Sequence, residues 1–377
     1  MVTEQQEMIQ KVARSIAKEQ VAPYAQEVDK KSEFPWDNVY TMAENGLFGV
    51  HIPEVYGGAG GDMVSHTMVI EEIANACAST SVILSTQALA IAPFMIAGTE
   101  EQKRNFVFPL AKGEKLGSFG ITEPEAGSDV SSIRTTAKKD GNDYILNGQK
   151  VFITNAGESD IYVFVTRTSE NRTKGITLFI AEKDSPGLTF GKNEEKMGIR
   201  GSVTREVLLD NVRVPQENML GKEGEGFKIL MKVFNETRPV VGAQATGIAQ
   251  GAFEYCLDYV QERKQFDQPV YQFQMVQSML ADMAIKIEAS RALVHKAAKK
   301  IDNEEKSLIV NASMAKCFAS DTAMEVTTDA VQLLGGYGFI KDYPVERMMR
   351  DAKITQIYEG TNQVQRVIIA NQFLKNK

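Results

Sequence analysis

The period of the apolar residues changes twice along this chain, and few architectures satisfy that pattern. Through residues 1–115 apolar positions recur every three or four residues, as in IQKVARSIAKEQVAPYAQEVDK, which gives one buried helical face. The Gly/Pro-rich stretch AENGLFGVHIPEVYGGAGGD interrupts this region. STSVILSTQALAIAPFMIAGT, nearly all apolar or small, predicts a buried helix, and Thr99 before two glutamates predicts a helix start. From 116 to 223 the period falls to two, with DGND placed between alternating runs as a hairpin signal. IYVFVTR, GITLFIAEKD, LTFGK and TREVLLDNVRV continue as short strands, and strand never alternates with helix, which disfavours a Rossmann domain.

The helical period then returns over 224–377 in four segments, 224–266, 271–303, 307–336 and 360–376. The first tolerates Pro239 only with a kink or near a helix start. Stripes this wide predict an antiparallel bundle with a second apolar face left for a partner subunit. A length of 377 residues exceeds one ordinary core, so the expected fold is α+β and multidomain. It has an N-terminal helical domain (1–115), a middle β-barrel or sandwich domain (116–223) and a C-terminal four-helix bundle (224–377).

Charge and composition narrow the function. Net charge is −7, which argues against a nucleic-acid partner. No apolar run is read as approaching the roughly 20 residues of a membrane span. The opening MVTEQQEMIQKVARSIAKEQ is amphipathic and mixed in charge, unlike a signal or transit peptide, so a cytoplasmic location is expected. Cys77, Cys256 and Cys317 are far apart, as are His51, His66 and His295, which leaves no metal site or Ser-His-Asp set in view. Chemistry must come from carboxylates, hydroxyls, backbone groups or a cofactor.

Two stretches stand out. In GSFGITEPEAGSDVSSI, Gly120, Gly127 and the hydroxyls of Thr122, Ser128 and Ser131 suit close approach to an anionic or heterocyclic ligand, although an ordinary turn has the same composition. In ITQIYEGTNQVQR the lone acid Glu359 stands at a glycine-marked break between Tyr358 and Gly360.

GITEPEAGSDVSS (120–132) and QLLGGYGFIKDYPVERMMRD (332–351) resemble the two signatures of the acyl-CoA dehydrogenase family, and IYEGTNQVQR resembles its catalytic segment in short- and medium-chain members. The resemblance spans essentially the whole chain. It implies FAD as cofactor, oxidation of an acyl-CoA to its trans-2-enoyl-CoA, electron transfer to an electron-transferring flavoprotein, and a homotetramer. By its place in the motif Glu359 is the base for the α-proton, desolvated to raise its pKa, with its backbone N–H helping to polarise the thioester carbonyl. Gly360 then avoids crowding the thioester, beside Tyr358.

Further positions carry over by the same resemblance. Phe119, Ile121, Thr122, Gly127 and Ser128 match the flavin-lining stretch, with Ser128 also toward substrate. Phe152, Ile153 and Thr154 match the segment beside the isoalloxazine ring, where some members have Trp in place of Phe152. Arg263, Phe266 and Gln274 match contacts to the FAD of a neighbouring subunit; Gln332, Gly335 and Gly336, then Thr361 and Gln363, match the remaining ones. Asn235 and Arg238 match contacts to the CoA arm, where medium-chain members often have Asp for Asn235. The helix containing STSVILSTQALAIAPF holds neither an arginine for a distal carboxylate nor an aspartate base, so a neutral apolar acyl tail is expected. Alternatives are an enoyl-CoA reductase running the reverse reaction, a branched-chain dehydrogenase with the base near Thr237 (Glu236 by a register slip), and a flavin-free scaffold.

Overall fold

The structure is a computed structural model that describes residues 2–305 and 308–375. The expected opening of the third bundle segment at Ser307, the end of the last at Asn376, and both chain ends lie outside the described residues. In the first region α1 (Glu4–Ile16), α2 (Ala25–Lys31), α3 (Trp36–Glu44), α4 (Met63–Ala76) and α5 (Ala78–Ala97) precede the single turn α6 (Glu100–Gln102) and α7 (Phe108–Lys112). The run expected as one helical face breaks after Ile16 into a π turn and a 3-10 turn around Pro23. Thr99 does start a helix: it and Gln102 form a reciprocal capping box.

α5 corrects one expectation. Its 20 residues are long and apolar enough, by length and composition, to cross a membrane. Most of the helix is buried inside the chain, as for a core helix. Its serines mask the signal, because Ser81 and Ser85 turn their hydroxyls back onto the carbonyls of Ala78 and Ser81.

β1 (Gly117–Gly120), β2 (Thr136–Asp140), β3 (Asp143–Thr154), β4 (Ile161–Arg167), β5 (Ile176–Glu182), β6 (Leu188–Asn193), β7 (Thr204–Pro215) and β8 (Met219–Leu220) form one 8-stranded sheet in the order β6-β7-β3-β2-β4-β5-β8, with β1 parallel to β4. The DGND hairpin is present: Asp140 pairs with Asp143 and Gly141 has φ +64°. β2 and β4 meet through one residue pair, Thr136 with Arg167, so the sheet bends there into two halves. Tyr144, Leu146, Val207 and Val212 of one half pack with Tyr162, Phe164 and Phe179 of the other. The opposite faces of β4 and β5, through Val163, Val165, Leu178 and Ile180, pack against α5, α7 and the start of α8. Burial on both faces explains the unbroken apolar runs of these two strands.

α8 (Gly226–Glu262) is one helix of 37 residues that carries Pro239 inside it. A short hairpin of β9 (Lys264–Gln265) and β10 (Gln268–Pro269) leads to α9 (Gln274–Asp302) and α10 (Leu308–Leu334). The short α11 (Val345–Ala352) precedes α12 (Asn362–Lys375). α8, α9, α10 and α12 form the bundle, with α10 packed on the other three. The hairpin and α11 are additions that the four-segment reading lacked.

Candidate active site

Where α5, the sheet and α8 meet, a cavity of about 380 Å³ opens, closed on one side by the turn before α12. Ligand sites favour such junctions. Its lining brings together Phe119, Ile121, Thr122, Gly127 and Ser128 from the β1 loop, Phe152, Ile153 and Thr154 from β3, Arg238 from α8, and Tyr358, Glu359 and Gly360. A β-bulge delivers the β3 group. Between the pairs Lys150–Val207 and Ile153–Arg205 the strand carries an extra residue. The bulge puts Phe152 at φ +59° and leaves the residue 67% exposed at the cavity.

Beneath this floor Lys150 is fully buried in the sheet, its Nζ donating to Glu123 Oε1 (2.7 Å), Ile121 O (3.1 Å) and Val165 O (2.6 Å). Glu123 also accepts from the backbone N–H groups of Arg134 and Thr135. These bonds fix the loop that carries Thr122 and Ser128.

The half-buried carboxylate of Glu359 stands in the opposite wall. Thr237 Oγ1 donates to its Oε2 at 3.0 Å. Burial pushes the Glu359 pKa up, opposed by the Thr237 hydrogen bond and by the Arg238 and Lys316 charges. The backbone of the turn is strained, with Glu359 at φ +55° and Gly360 at φ +92°. Gln365 Nε2 donates to the carbonyls of both residues at 3.1 Å, and Lys316 Nζ donates to the Gly360 carbonyl at 2.8 Å. No group among the described residues accepts the N–H of Glu359. The turn therefore points its carbonyls into the protein and leaves a backbone donor beside the carboxylate. A carbon acid seated here meets a desolvated base and a donor for the negative charge that develops.

Tyr358 donates its hydroxyl to Gln244 Oε1. Arg238 is buried, and that burial lowers its pKa while Glu359 opposes the shift. Its Nη1 reaches Asn235 Oδ1 and Ser313 Oγ at 3.4 Å, and its Nε has no partner among the described residues. Asn235 touches Arg238 without lining the cavity, and Glu236 does not line it either. Burial lifts the Glu236 carboxyl to about 7 without bringing it into the site.

The other expected residues lie elsewhere. Arg263, Gly335 and Gly336 line a second cleft of about 540 Å³ that shares no residue with the first. The Arg263 guanidinium lies 5.3 Å from the Tyr337 ring centroid, and no atom stands within 4 Å of where a Cβ would be on Gly335 or Gly336. Phe266, 88% exposed, is at the tip of the β9–β10 hairpin, and Gln274 and Gln332 are exposed. Thr361 bonds the N–H of Val364 at the start of α12, and Gln363 is exposed. Lys316 and Gln365 were not expected from the sequence, and Thr237 was named only for its helix, not as the hydrogen-bond partner of Glu359. Thr237 is next to the suspected Glu236, and the helical period alone could not say which of the two faces inward.

Models of the acyl-CoA dehydrogenase N-terminal, middle and C-terminal domains match residues 3–114, 118–212 and 224–374. The chain belongs to the acyl-CoA dehydrogenase family. It is an oxidoreductase, and its cofactor is FAD. It is 46% identical to the short-chain specific acyl-CoA dehydrogenase of Clostridium acetobutylicum over 99% of each chain. The structure of butyryl-CoA dehydrogenase from Megasphaera elsdenii superposes with a TM-score of 0.97 at 44% identity, again over 99% of each chain. A chain solved in work on the electron transferring flavoprotein of Acidaminococcus fermentans and flavin-based electron bifurcation gives 0.98 at 47% identity, over 100% of this chain and 99% of that one.

The residues present fit the cofactor. Thr122, Ser128 and Thr154 line the cavity and their hydroxyls make no hydrogen bond among the described residues, space is open where Gly127 would carry a Cβ, and Phe152 is exposed.

Proposed function

We propose that this chain removes the α-proton and β-hydride from a neutral short- or medium-chain acyl-CoA, giving the trans-2-enoyl-CoA. The observation that carries the reading is the half-buried Glu359 carboxylate, held by Thr237 in a strained turn at the cavity wall. Glu359 takes the α-proton, and its free N–H polarises the thioester carbonyl. When bound against Phe119–Ser128 and Phe152–Thr154, the flavin supplies the acceptor for the β-hydride. Arg238, with an unpaired buried Nε, holds the CoA arm, seconded by Asn235. The absence of charged residues in α5 supports an apolar tail, as do the two relatives named for short-chain and butyryl substrates.

The second cleft supports a homotetramer, in which Arg263, Phe266, Gln274, Gln332, Gly335 and Gly336 of one copy complete the cofactor site of another, to which that other copy's own Thr361 and Gln363 contribute. The Acidaminococcus likeness supports an electron-transferring flavoprotein as the partner, and the bacterial relatives support a cytoplasmic location. Segments 1–115, 116–223 and 224–377 are the corresponding domains.

Anaerobic titration of the flavin spectrum with butyryl-, octanoyl- and isovaleryl-CoA tests the substrate class, with bleaching by a straight-chain thioester expected. Reoxidation of the reduced enzyme by crotonyl-CoA without any bleaching would favour the reductase. Glu359→Gln should keep FAD and acyl-CoA binding and lower kcat by about 10²–10⁴-fold. Near-normal kcat in that variant overturns the assignment of the base. In the wild type kcat should fall as pH drops through the raised Glu359 pKa, placing the acid limb above the ordinary carboxylate range.

A further inference from the structure

Lys316 is a fully buried lysine on α10, in a row with the buried Ser313 and Ser320 on the helix face toward α8 and α12. Its Nζ donates to Gly360 O and Asn362 Oδ1, both at 2.8 Å. Both acceptors are neutral, so the ammonium is not repaid by a direct ion pair. Asn362 is the first residue of α12, and a helix N-terminus repels a cation. Fastening α12 therefore does not account for a charge at this place, and a neutral donor would serve better. Burial lowers the Lys316 pKa to about 8, opposed by Cys317, Glu359 and Asp321, and of these Glu359 belongs to the turn that Lys316 holds.

We infer that Lys316 is a positioning residue for the reaction: it pins the Gly360 carbonyl so that the Glu359–Gly360 turn holds its base and its free N–H at the cavity wall, and its charge favours the ionised base there. The two tasks fall on different groups. Gln365 shares the pinning, since its Nε2 bonds the carbonyls of Glu359 and Gly360, but it brings no charge. Arg238 is the other cation acting on Glu359, and it stands on the α8 wall, away from the turn's carbonyls. Among the described residues Lys316 alone combines both tasks. The inference rests on the reading of Glu359 as the base.

The test compares Lys316→Met and Gln365→Met in the flavin-loaded enzyme by kcat, KM for butyryl-CoA, the pH profile of kcat, bound flavin and thermal unfolding. Lys316→Met should lower plateau kcat by about 100-fold, the order expected for a misplaced catalytic group, with KM and flavin content little changed. Its acid limb should also move to higher pH. Gln365→Met should lower kcat without moving the limb. A limb unmoved in Lys316→Met refutes the electrostatic part, and a wild-type kcat refutes the positioning part. Should Lys316→Met fail to load flavin, the two parts are read in Lys316→Gln, which keeps a donor without the charge: a limb shift with substantial kcat is then expected, and an unmoved limb refutes the charge. Failure of the underlying reading looks different, because Glu359→Gln would then remain active whatever Lys316 does.

Discussion

Replacing Lys150 by Met should cost about 3–5 kcal/mol of folding stability, the usual penalty for breaking a buried ion pair from one side. The local inventory supports that size. The substitution strands the Glu123 carboxylate, leaving it only the N–H groups of Arg134 and Thr135, and it removes the donor to the carbonyls of Ile121 and Val165. Each carbonyl left buried without a partner costs about 1–3 kcal/mol, and Met refills the volume without the donors. Glu123→Gln in the same background neutralises the stranded charge and should recover part of the loss, so a double-mutant cycle should show coupling of about 2 kcal/mol. Because Ile121 and Glu123 flank Thr122, the single variant should also release flavin more readily. The assay is equilibrium urea unfolding by far-UV circular dichroism, with bound flavin measured on the same samples. A Lys150→Met protein within about 1 kcal/mol of wild type, or strictly additive variants, would refute the argument that this pair anchors the cavity floor.

Two further outcomes follow from features away from that pair. His51 and His66 lie with ring centroids 4.3 Å apart, and neither ring nitrogen of His66 has a partner among the described residues. Burial lowers the pKa of His51 to about 4, and burial together with His51 lowers that of His66. The unfolded chain therefore takes up these protons first, so stability should decline as pH falls from about 6.5 towards about 4, and His66→Leu should flatten that decline in urea midpoints measured across the range. At Gly360 a Cβ would meet Gln365 Nε2 at 2.7 Å with φ at +92°. Gly360→Ala should add about 1–3 kcal/mol of local strain and lower kcat by about 100-fold, while flavin content stays normal.

Legibility in the sequence followed the range of the interactions. The DGND hairpin was visible because its turn chemistry is local, and Glu359 because its motif is contiguous. Thr237, Lys316 and Gln365 were not, since each meets the turn through tertiary packing that no spacing encodes. Lys150 shows the conflict most plainly. Its position in β3 puts it on the same inward face as Tyr144 and Leu146, whereas its residue type suggests solvent. Geometry won because Glu123, on a distant segment, supplies the counter-charge. The membrane-length helix α5 was underread for a related reason, as hydroxyls that are polar on paper are satisfied inside the helix itself.

α8 has one more consequence. It is a continuous rod from Arg238 at the first cavity to the hairpin of Arg263, a span of about 37 Å at the helical rise. If copies pair as proposed, an injury at the hairpin leaves its own chain's base intact and disables a neighbour's cofactor site instead. Heredity of such lesions would be non-autonomous: two differently damaged chains, mixed in one assembly, can restore a working site that neither forms with copies of itself.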